Sequence, residues 1–170
     1  MSKTKRTLVT GASGTGKSTL ERLFSQKGYL TEDIDYGFAY WQDKSTGQKV
    51  EEERDNPDWL ARVRWALDYE KLLRRLELAG DEPILVFGST NDLGEHLDLF
   101  DRVFLLEYQG EDQIIQRITG RPEGGYGKHS HELDSLLSYY VGYQEQMKNL
   151  GATVIDCNLD LGEITKIIEA

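Results

Sequence analysis

The chain has 170 residues, of which 38% are hydrophobic and 29% charged, a balance that is typical of one folded domain and excludes a disordered chain. Its 30 acidic and 20 basic side chains give a formal charge of −10, which disfavours nucleic acid and anionic membranes as partners. A single cysteine, Cys157, excludes an intrachain disulfide, and no stretch reaches the ~20 apolar residues that a membrane helix needs.

Residues 11–18, GASGTGKS, fit the P-loop pattern G-x-x-x-x-G-K-[ST] at every fixed position, between a predicted strand at Arg6–Thr10 and a predicted helix at Lys17–Gln26. Glycines let successive backbone N–H groups wrap closely around phosphate oxygens at the positive end of the following helix. We expect Lys17 to reach the β- and γ-phosphates and the Ser18 hydroxyl to hold Mg²⁺. The alternative is a glycine-rich turn without a ligand. The predicted nucleotide-binding residues here are Gly11, Ser13, Gly14, Thr15, Gly16, Lys17, Ser18 and Thr19.

A weak strand predicted over 29–34 ends in Asp33-Ile34-Asp35. The two-residue period of a strand points both carboxylates one way and Ile34 into the core. We expect both aspartates to contact the substrate, with Asp35 as the base that accepts the proton of an attacking hydroxyl and Asp33 as a metal ligand, directly or through water. Sequence alone leaves open which aspartate is the base. The alternative is a solvated acidic turn.

Residues 36–79 are predicted to cover the acceptor. We expect 35–56 to be irregular and 57–79 to form one long helix, with Asn56 as its N-cap and Gly80 as its stop. The apolar residues of its first half lie nearly opposite those of its second half, so the first half is expected to cover something different. Trp41 and Arg62 are predicted to bind the acceptor, although the aromatic residues of this segment would also suit plain packing.

The later elements alternate between strands and helices. Strands are predicted at Ile84–Phe87, 102–106 and 152–155, and helices within 92–99, at Glu111–Thr119, along a Leu133-to-Met147 stripe and at Leu161–Glu169. With the first two strands, this order predicts an α/β fold of the P-loop NTPase type, in which a five-stranded parallel sheet lies between two helical layers in a three-layer α/β/α arrangement. We expect residues 1–170 to form a single domain with ligands beyond the carboxyl ends of the strands.

A glycine-rich segment at 120–130 is predicted to be a lid. Arg117 and Arg121 are four residues apart, share a helix face just before it, and are predicted to clamp the transferring phosphoryl group. The alternative is a surface pair that bonds to acidic neighbours. His129 and His131 have no partner at a diagnostic spacing, so we expect no metal site there.

The P-loop, the Asp33-x-Asp35 pair, the strand in FDRVFLL at 100–106 and the arginine-bearing lid occur in the order found in small P-loop kinases. The chain resembles the nucleoside monophosphate kinase-like group, which includes the shikimate and gluconate kinases, along almost its whole length. The resemblance implies ATP-dependent phosphoryl transfer to a small acceptor, and it implies that Cys157 and Asn158 lie near the adenine. The chain departs from the group where the third strand ends without a closing Asp, and where the glycine run of shikimate kinases is missing.

Together these features predict a cytoplasmic kinase that uses ATP and Mg²⁺, with Lys17, Asp35, Arg117 and Arg121 as catalytic residues. The guanine-reading Asn-Lys-x-Asp motif is missing from the sequence, which favours ATP over GTP. A nucleoside or nucleotide is the first expectation for the acceptor, and an antibiotic or sugar acid the next. The alternative is a regulatory ATPase without a small-molecule acceptor. The sequence does not indicate an oligomeric state.

Overall fold

The computed structural model describes residues 5–121 and 125–170. Within them the strands are β1 (Arg6–Thr10), β2 (Leu30–Asp33), β3 (Ala39–Asp43), β4 (Val63–Leu67), β5 (Ile84–Phe87), β6 (Arg102–Glu107) and β7 (Thr153–Asp156). The α-helices are α1 (Lys17–Gln26), α2 (Pro57–Arg62), α3 (Tyr69–Ala79), α4 (Glu111–Thr119), α5 (Ser130–Asn149) and α6 (Leu161–Glu169), and a 3₁₀ helix spans Leu93–Leu99. None of the helices in these residues is long and apolar enough to cross a membrane.

Five strands form a parallel sheet in the order β2-β5-β1-β6-β7. The chain leaves the central strand β1 first toward β2 and β5 and then returns to its other side through β6 and β7, which opens a crevice beyond the carboxyl end of β1. Val9 of β1 pairs with Phe87 of β5, and Asp33 of β2 pairs with the same residue. The P-loop and the two aspartates therefore leave the sheet at the same edge.

Helices cover both faces of this sheet, because alternate residues of its central strands face opposite ways. Val9 packs in a cluster with residues of α1, α4 and α6, whereas Leu8 packs in a second cluster with residues of α3. Helix α5 contributes to both clusters, with Leu136 in the first and Met147 in the second. The predicted three-layer α/β/α arrangement is confirmed.

The prediction of one helix over 57–79 is wrong. Helix α2 begins as expected, with the Asn56 side chain accepting from the N–H groups of Asp58 and Trp59, but the chain then becomes extended as β4. A second helix, α3, begins at Asp68, whose side chain accepts from the Lys71 N–H. The opposed apolar stripes of the sequence thus belong to separate elements. The physical reason is that Asp68 caps a new helix, while the β-branched and aromatic residues before it suit a strand.

Strand β4 pairs antiparallel with β3, which lies inside the segment predicted to be irregular. Trp41 is directly opposite Trp65 in this pair, so both indoles lie on one face of the two-stranded sheet. Loop residue Asn91 extends the pairing, since its side-chain oxygen accepts from the Trp65 N–H at 2.8 Å. This small sheet stands beside the carboxyl edge of the main sheet.

Candidate active site

The loop between β1 and α1 has the shape of a phosphate cradle. Gly14 has a φ of +86°, and a Cβ there would fall 2.4 Å from the Tyr108 hydroxyl, so only glycine fits. Gly16 has a φ of +101° and precedes α1 without any side-chain cap. The first N–H groups of α1 are therefore left for an anion at the positive end of the helix. Loop and helix fit the phosphates of a nucleotide.

Lys17 lies over this cradle. Its ammonium group donates to the carbonyl oxygens of Gly11 at 2.7 Å and of Ala12 at 2.9 Å, and the residue is buried. Burial lowers the pKa of Lys17, whereas the carboxylates of Asp35 and Asp33 act in the opposite direction. The ammonium group of Lys17 therefore lies between the phosphate cradle and the carboxylates of Asp33 and Asp35.

Arg117 connects the P-loop to the loop after β7. Its guanidinium group donates to the carbonyl oxygens of Gly14 at 3.3 Å and Cys157 at 2.6 Å, and to the side-chain oxygen of Asn158 at 3.3 Å. The ring of Tyr108 lies under the guanidinium at 5.8 Å. Cys157 presents its carbonyl here, because its thiol side chain is buried. The structure therefore brings Arg117, Cys157 and Asn158 together beside the phosphate cradle.

Arg121 reaches the same cradle from the other side. A Cβ on Gly14 would lie 3.2 Å from one terminal nitrogen of Arg121, and a Cβ on Gly125 would lie 2.7 Å from the other. The guanidinium group also helps to lower the pKa of Lys17, as expected for like charges held close together. Two cations, Lys17 and Arg121, thus lie close together at the cradle.

The described part of the predicted lid is fastened to the P-loop. The Ser13 hydroxyl donates to the Tyr126 carbonyl oxygen at 3.1 Å, and the Gly127 N–H donates to the Glu132 carboxylate at 3.0 Å. The Arg54 guanidinium donates to that carboxylate at 3.0 Å and to the Gly125 carbonyl oxygen at 2.8 Å. Residues 122–124 of the predicted lid lie outside the described residues. The remainder covers one side of the cradle.

Asp33 ends β2 and Asp35 follows it, with Ile34 fully buried between them, as the two-residue period predicts. The Asp35 N–H donates to an Asp33 carboxylate oxygen at 2.9 Å. Burial, followed by the repulsion of Asp35, raises the pKa of Asp33 to about 6. Asp35 is exposed, and its carboxylate accepts from the Trp65 indole N–H at 2.8 Å. The two aspartates therefore differ in exposure, and the more accessible carboxylate is that of Asp35.

Four aromatic side chains, which we call the aromatic wall, stand next to Asp35. The ring of Trp41 lies 5.1 Å from Trp59, 5.0 Å from Trp65 and 6.4 Å from Tyr126. Trp65 contacts Asp35 at one end of the wall, and the Tyr126 backbone contacts the P-loop at the other. Of these four, the sequence assigned only Trp41 to the acceptor. The alternation of V-R-W-A-L at 63–67 was the signal for Trp65.

Arg62, in contrast, is not brought to the carboxylates. It is exposed at the end of α2, and its guanidinium donates to the Asp58 carbonyl oxygen at 3.3 Å. The expectation of an acceptor contact assumed a helix that continued past residue 62. Since the chain turns into β4 there, the structure gives no support to a role for Arg62 in the acceptor site.

Ser18 and Asp33 are the predicted metal ligands. Ser18 lies exposed in the first turn of α1, and Asp33 is half-buried at the end of β2. Across 5–121 and 125–170, no cluster of three or more His, Cys, Asp and Glu side chains could hold a metal ion by itself. A hydroxyl and a carboxylate beside a phosphate cradle do fit Mg²⁺ that arrives with phosphate oxygens.

A cavity of about 620 Å³ lies beside the start of α3 and is lined by residues such as Gly37 and Lys71. Neither Ser18 nor Asp33 lines this cavity.

The raised pKa of Asp33 predicts a pH-dependent stability of the metal-free protein. Because the folded state holds the Asp33 proton up to about pH 6, the free energy of unfolding falls as the pH rises from about 4 to 6. Asp33→Asn removes this loss, so the variant gains stability relative to the natural chain between about pH 5 and 7.5. Urea unfolding in EDTA measures it, with the exposed Asp98→Asn as control. An unchanged pH dependence in Asp33→Asn would contradict the assignment.

No family model and no curated protein matches the chain. Solved structures do, over nearly its whole length. Shikimate kinase from Bacteroides thetaiotaomicron is 17% identical with a TM-score of 0.58, covering 98% of this chain and 99% of that one. A gluconokinase from Sinorhizobium meliloti 1021 is 18% identical with a TM-score of 0.56, covering 97% and 94%. Deoxyadenosine kinase from M. mycoides with bound dATP is 17% identical with a TM-score of 0.52, covering 96% and 97%. The resemblance read from the sequence is confirmed at the level of the fold.

Proposed function

We propose that the chain is an ATP-dependent kinase that transfers a phosphoryl group to the hydroxyl of a small molecule. One observation carries the proposal. The phosphate cradle with Lys17, the exposed carboxylate of Asp35 and the aromatic wall meet at a single edge of the sheet. A hydrolase that acts on nucleotide alone needs no such aromatic and acidic surface beside the cradle. The solved kinases with this fold, which by their names act on shikimate, gluconate and deoxyadenosine, support the proposal.

In this proposal Mg-ATP supplies the phosphoryl group. The cradle and Lys17 hold the phosphates, Arg121 neutralises charge on the transferring group, and Arg117 fixes the nucleotide side next to Cys157 and Asn158. These protein groups act by position and charge, so their geometry must already be set when the reactants meet.

Asp35 acts as the base that accepts the proton of the acceptor hydroxyl. Its carboxylate is exposed, and the Trp65 indole fixes its orientation. Asp33 is the weaker candidate, because its carboxylate is half-buried and accepts from the Asp35 N–H. Asp33 together with Ser18 is better suited to Mg²⁺.

Residues 36–79 and the lid at 120–130 act as two covers of one domain. The first carries three members of the aromatic wall and the second carries Tyr126. Closed over the edge of the sheet, they exclude water, which would otherwise compete with the acceptor for the phosphoryl group. A cytoplasmic location remains a prediction from the sequence.

ADP release measured with and without a panel of nucleosides, nucleotides, sugars and sugar acids tests the proposal. Acceptor-dependent ADP formation is expected, and Asp35→Asn should lower it by about 10²-fold while nucleotide affinity stays within about threefold. Asp98→Asn is the matched control, since it removes an exposed carboxylate from the 3₁₀ helix. ADP formation that is indifferent to every acceptor would instead favour the regulatory ATPase.

A further inference from the structure

We infer that the acceptor is a ring-bearing hydroxyl compound without an anionic group, either uncharged or carrying an amine, and not a nucleotide, a sugar acid or shikimate. This inference rests on the proposed kinase function and deepens it. The aromatic wall supplies the apolar contact surface, and the charges around the wall decide which compounds can lie against it.

The cations on the elements that form the wall are directed to other partners. Arg64 of β4 donates to the Gln42 side chain at 2.6 Å, and both residues lie on the face of the two-stranded sheet opposite to Trp41 and Trp65. Arg62 of α2 bonds to a backbone carbonyl and is exposed. Lys128, after Tyr126, donates to the Arg121 carbonyl oxygen. As far as the structure describes these elements, each of these cations is hydrogen-bonded to a group other than Asp33 and Asp35.

Among the cations of the neighbouring segments, Lys49 and Lys71 line the cavity with Tyr40, which is on the face of β3 opposite to Trp41. Arg54 donates to the buried Glu132 carboxylate and to the lid backbone, and Lys44 donates to the Ala61 carbonyl oxygen at 2.9 Å. Lys17 and Arg121 lie on the phosphate side, where the triphosphate of the proposed reaction requires them. The acceptor side of the site is therefore aromatic and acidic.

The acidic groups set the sign of the local field. Asp35 lies at one end of the wall, where its carboxylate accepts from the Trp65 indole, and Asp33 is the last residue of β2. An acceptor with a phosphate or carboxylate would place a third negative charge beside these two, where the neighbouring cation is Lys17, which the triphosphate of the proposed reaction would occupy. The uncompensated charge costs binding free energy. An uncharged ring can stack on the indole rings without this electrostatic cost. An amine is attracted both by the faces of the aromatic rings and by the two carboxylates. The wall therefore selects against anions.

All three tryptophans of the chain belong to the wall, so intrinsic tryptophan fluorescence reports on this site alone. We would titrate the full chain, without ATP, with matched pairs of ring compounds that differ in an anionic group: adenosine and AMP, deoxycytidine and dCMP, and glucose and glucuronate. Glucosamine adds an amine to the last pair. In at least one pair the anion-free member should bind roughly tenfold or more tightly than its anionic partner.

Asp35→Asn provides the second measurement, since an asparagine oxygen can still accept from the Trp65 indole. In the pair that shows the difference, the variant should reduce the ratio of the two dissociation constants severalfold. Asp98→Asn should leave this ratio unchanged. Tighter binding of the anionic members, no fluorescence response to any compound, or an unchanged ratio in Asp35→Asn would each overturn the inference.

The binding result is independent of turnover. Selective binding of the anion-free members without any acceptor-dependent ADP formation would support the acceptor class and refute the kinase. ADP formation that depends on AMP, dCMP or glucuronate would support the kinase and refute the acceptor class.

Discussion

Replacing Arg54 by methionine should lower the free energy of unfolding by about 3 kcal/mol, because it leaves a buried carboxylate without its cation. Glu132 is fully buried in the first turn of α5. Burial acts to raise its pKa, but the hydrogen bonds from Arg54 and from the Gly127 N–H outweigh burial, and the pKa of Glu132 lies below its usual value. Without the guanidinium group, the carboxylate must either remain charged in an apolar setting or take up a proton.

Urea unfolding near neutral pH measures this loss. Glu52→Gln is the matched control, since Glu52 is an exposed second partner of Arg54 at 3.4 Å, and such a surface pair contributes at most about 1 kcal/mol. Removing both charges with Arg54→Met and Glu132→Leu together should recover part of the lost stability. A single Arg54→Met variant as stable as the natural chain would show that this ion pair does not stabilise the fold.

Replacing Lys17 by methionine should lower acceptor-dependent ADP formation by about 10³-fold. The ammonium group is the cation held directly over the phosphate cradle, by the carbonyl oxygens of Gly11 and Ala12. Burial already lowers the pKa of Lys17, so its charge is a cost to the folded protein, and methionine should leave the free energy of unfolding within about 1 kcal/mol. The loss of activity is thereby separated from loss of folding.

Single-turnover and steady-state ADP assays measure the effect once the acceptor panel has given a substrate. Lys166→Met on the exposed face of α6 removes a lysine far from the cradle in the fold and should retain full activity. A Lys17→Met enzyme that keeps a tenth or more of the natural rate would exclude Lys17 from the transfer step.

The sheet and the cradle could be predicted because their signals are local. A continuous apolar run such as β5 is buried on both faces wherever it pairs, and the P-loop carries its strand, its turn and its helix within about twenty consecutive residues. Helix caps were also read correctly one by one. Asn56 does begin a helix and Gly80 does end one, but they belong to two different helices.

The rest depends on contacts between residues that are distant in sequence. Strand β4 exists because β3 pairs with it from about twenty residues upstream, and a helical window over 57–79 does not include that partner. The burial of Glu132 likewise depends on Arg54, which is 78 residues away. Arg117 was assigned to the phosphoryl group from its helix face, whereas its bond to the Cys157 carbonyl oxygen required the fold.

The Arg54 guanidinium links the 36–79 segment to two other parts of the chain, to the lid through the Gly125 carbonyl oxygen and to α5 through the Glu132 carboxylate. If the 36–79 segment moved away with Arg54, the Glu132 carboxylate would be left buried without its cation. Movement of the lid would instead break only one of the Arg54 bonds, the one to Gly125, and would keep the ion pair. Under the proposed function, opening the lid would therefore cost less free energy of this ion pair than opening the 36–79 segment.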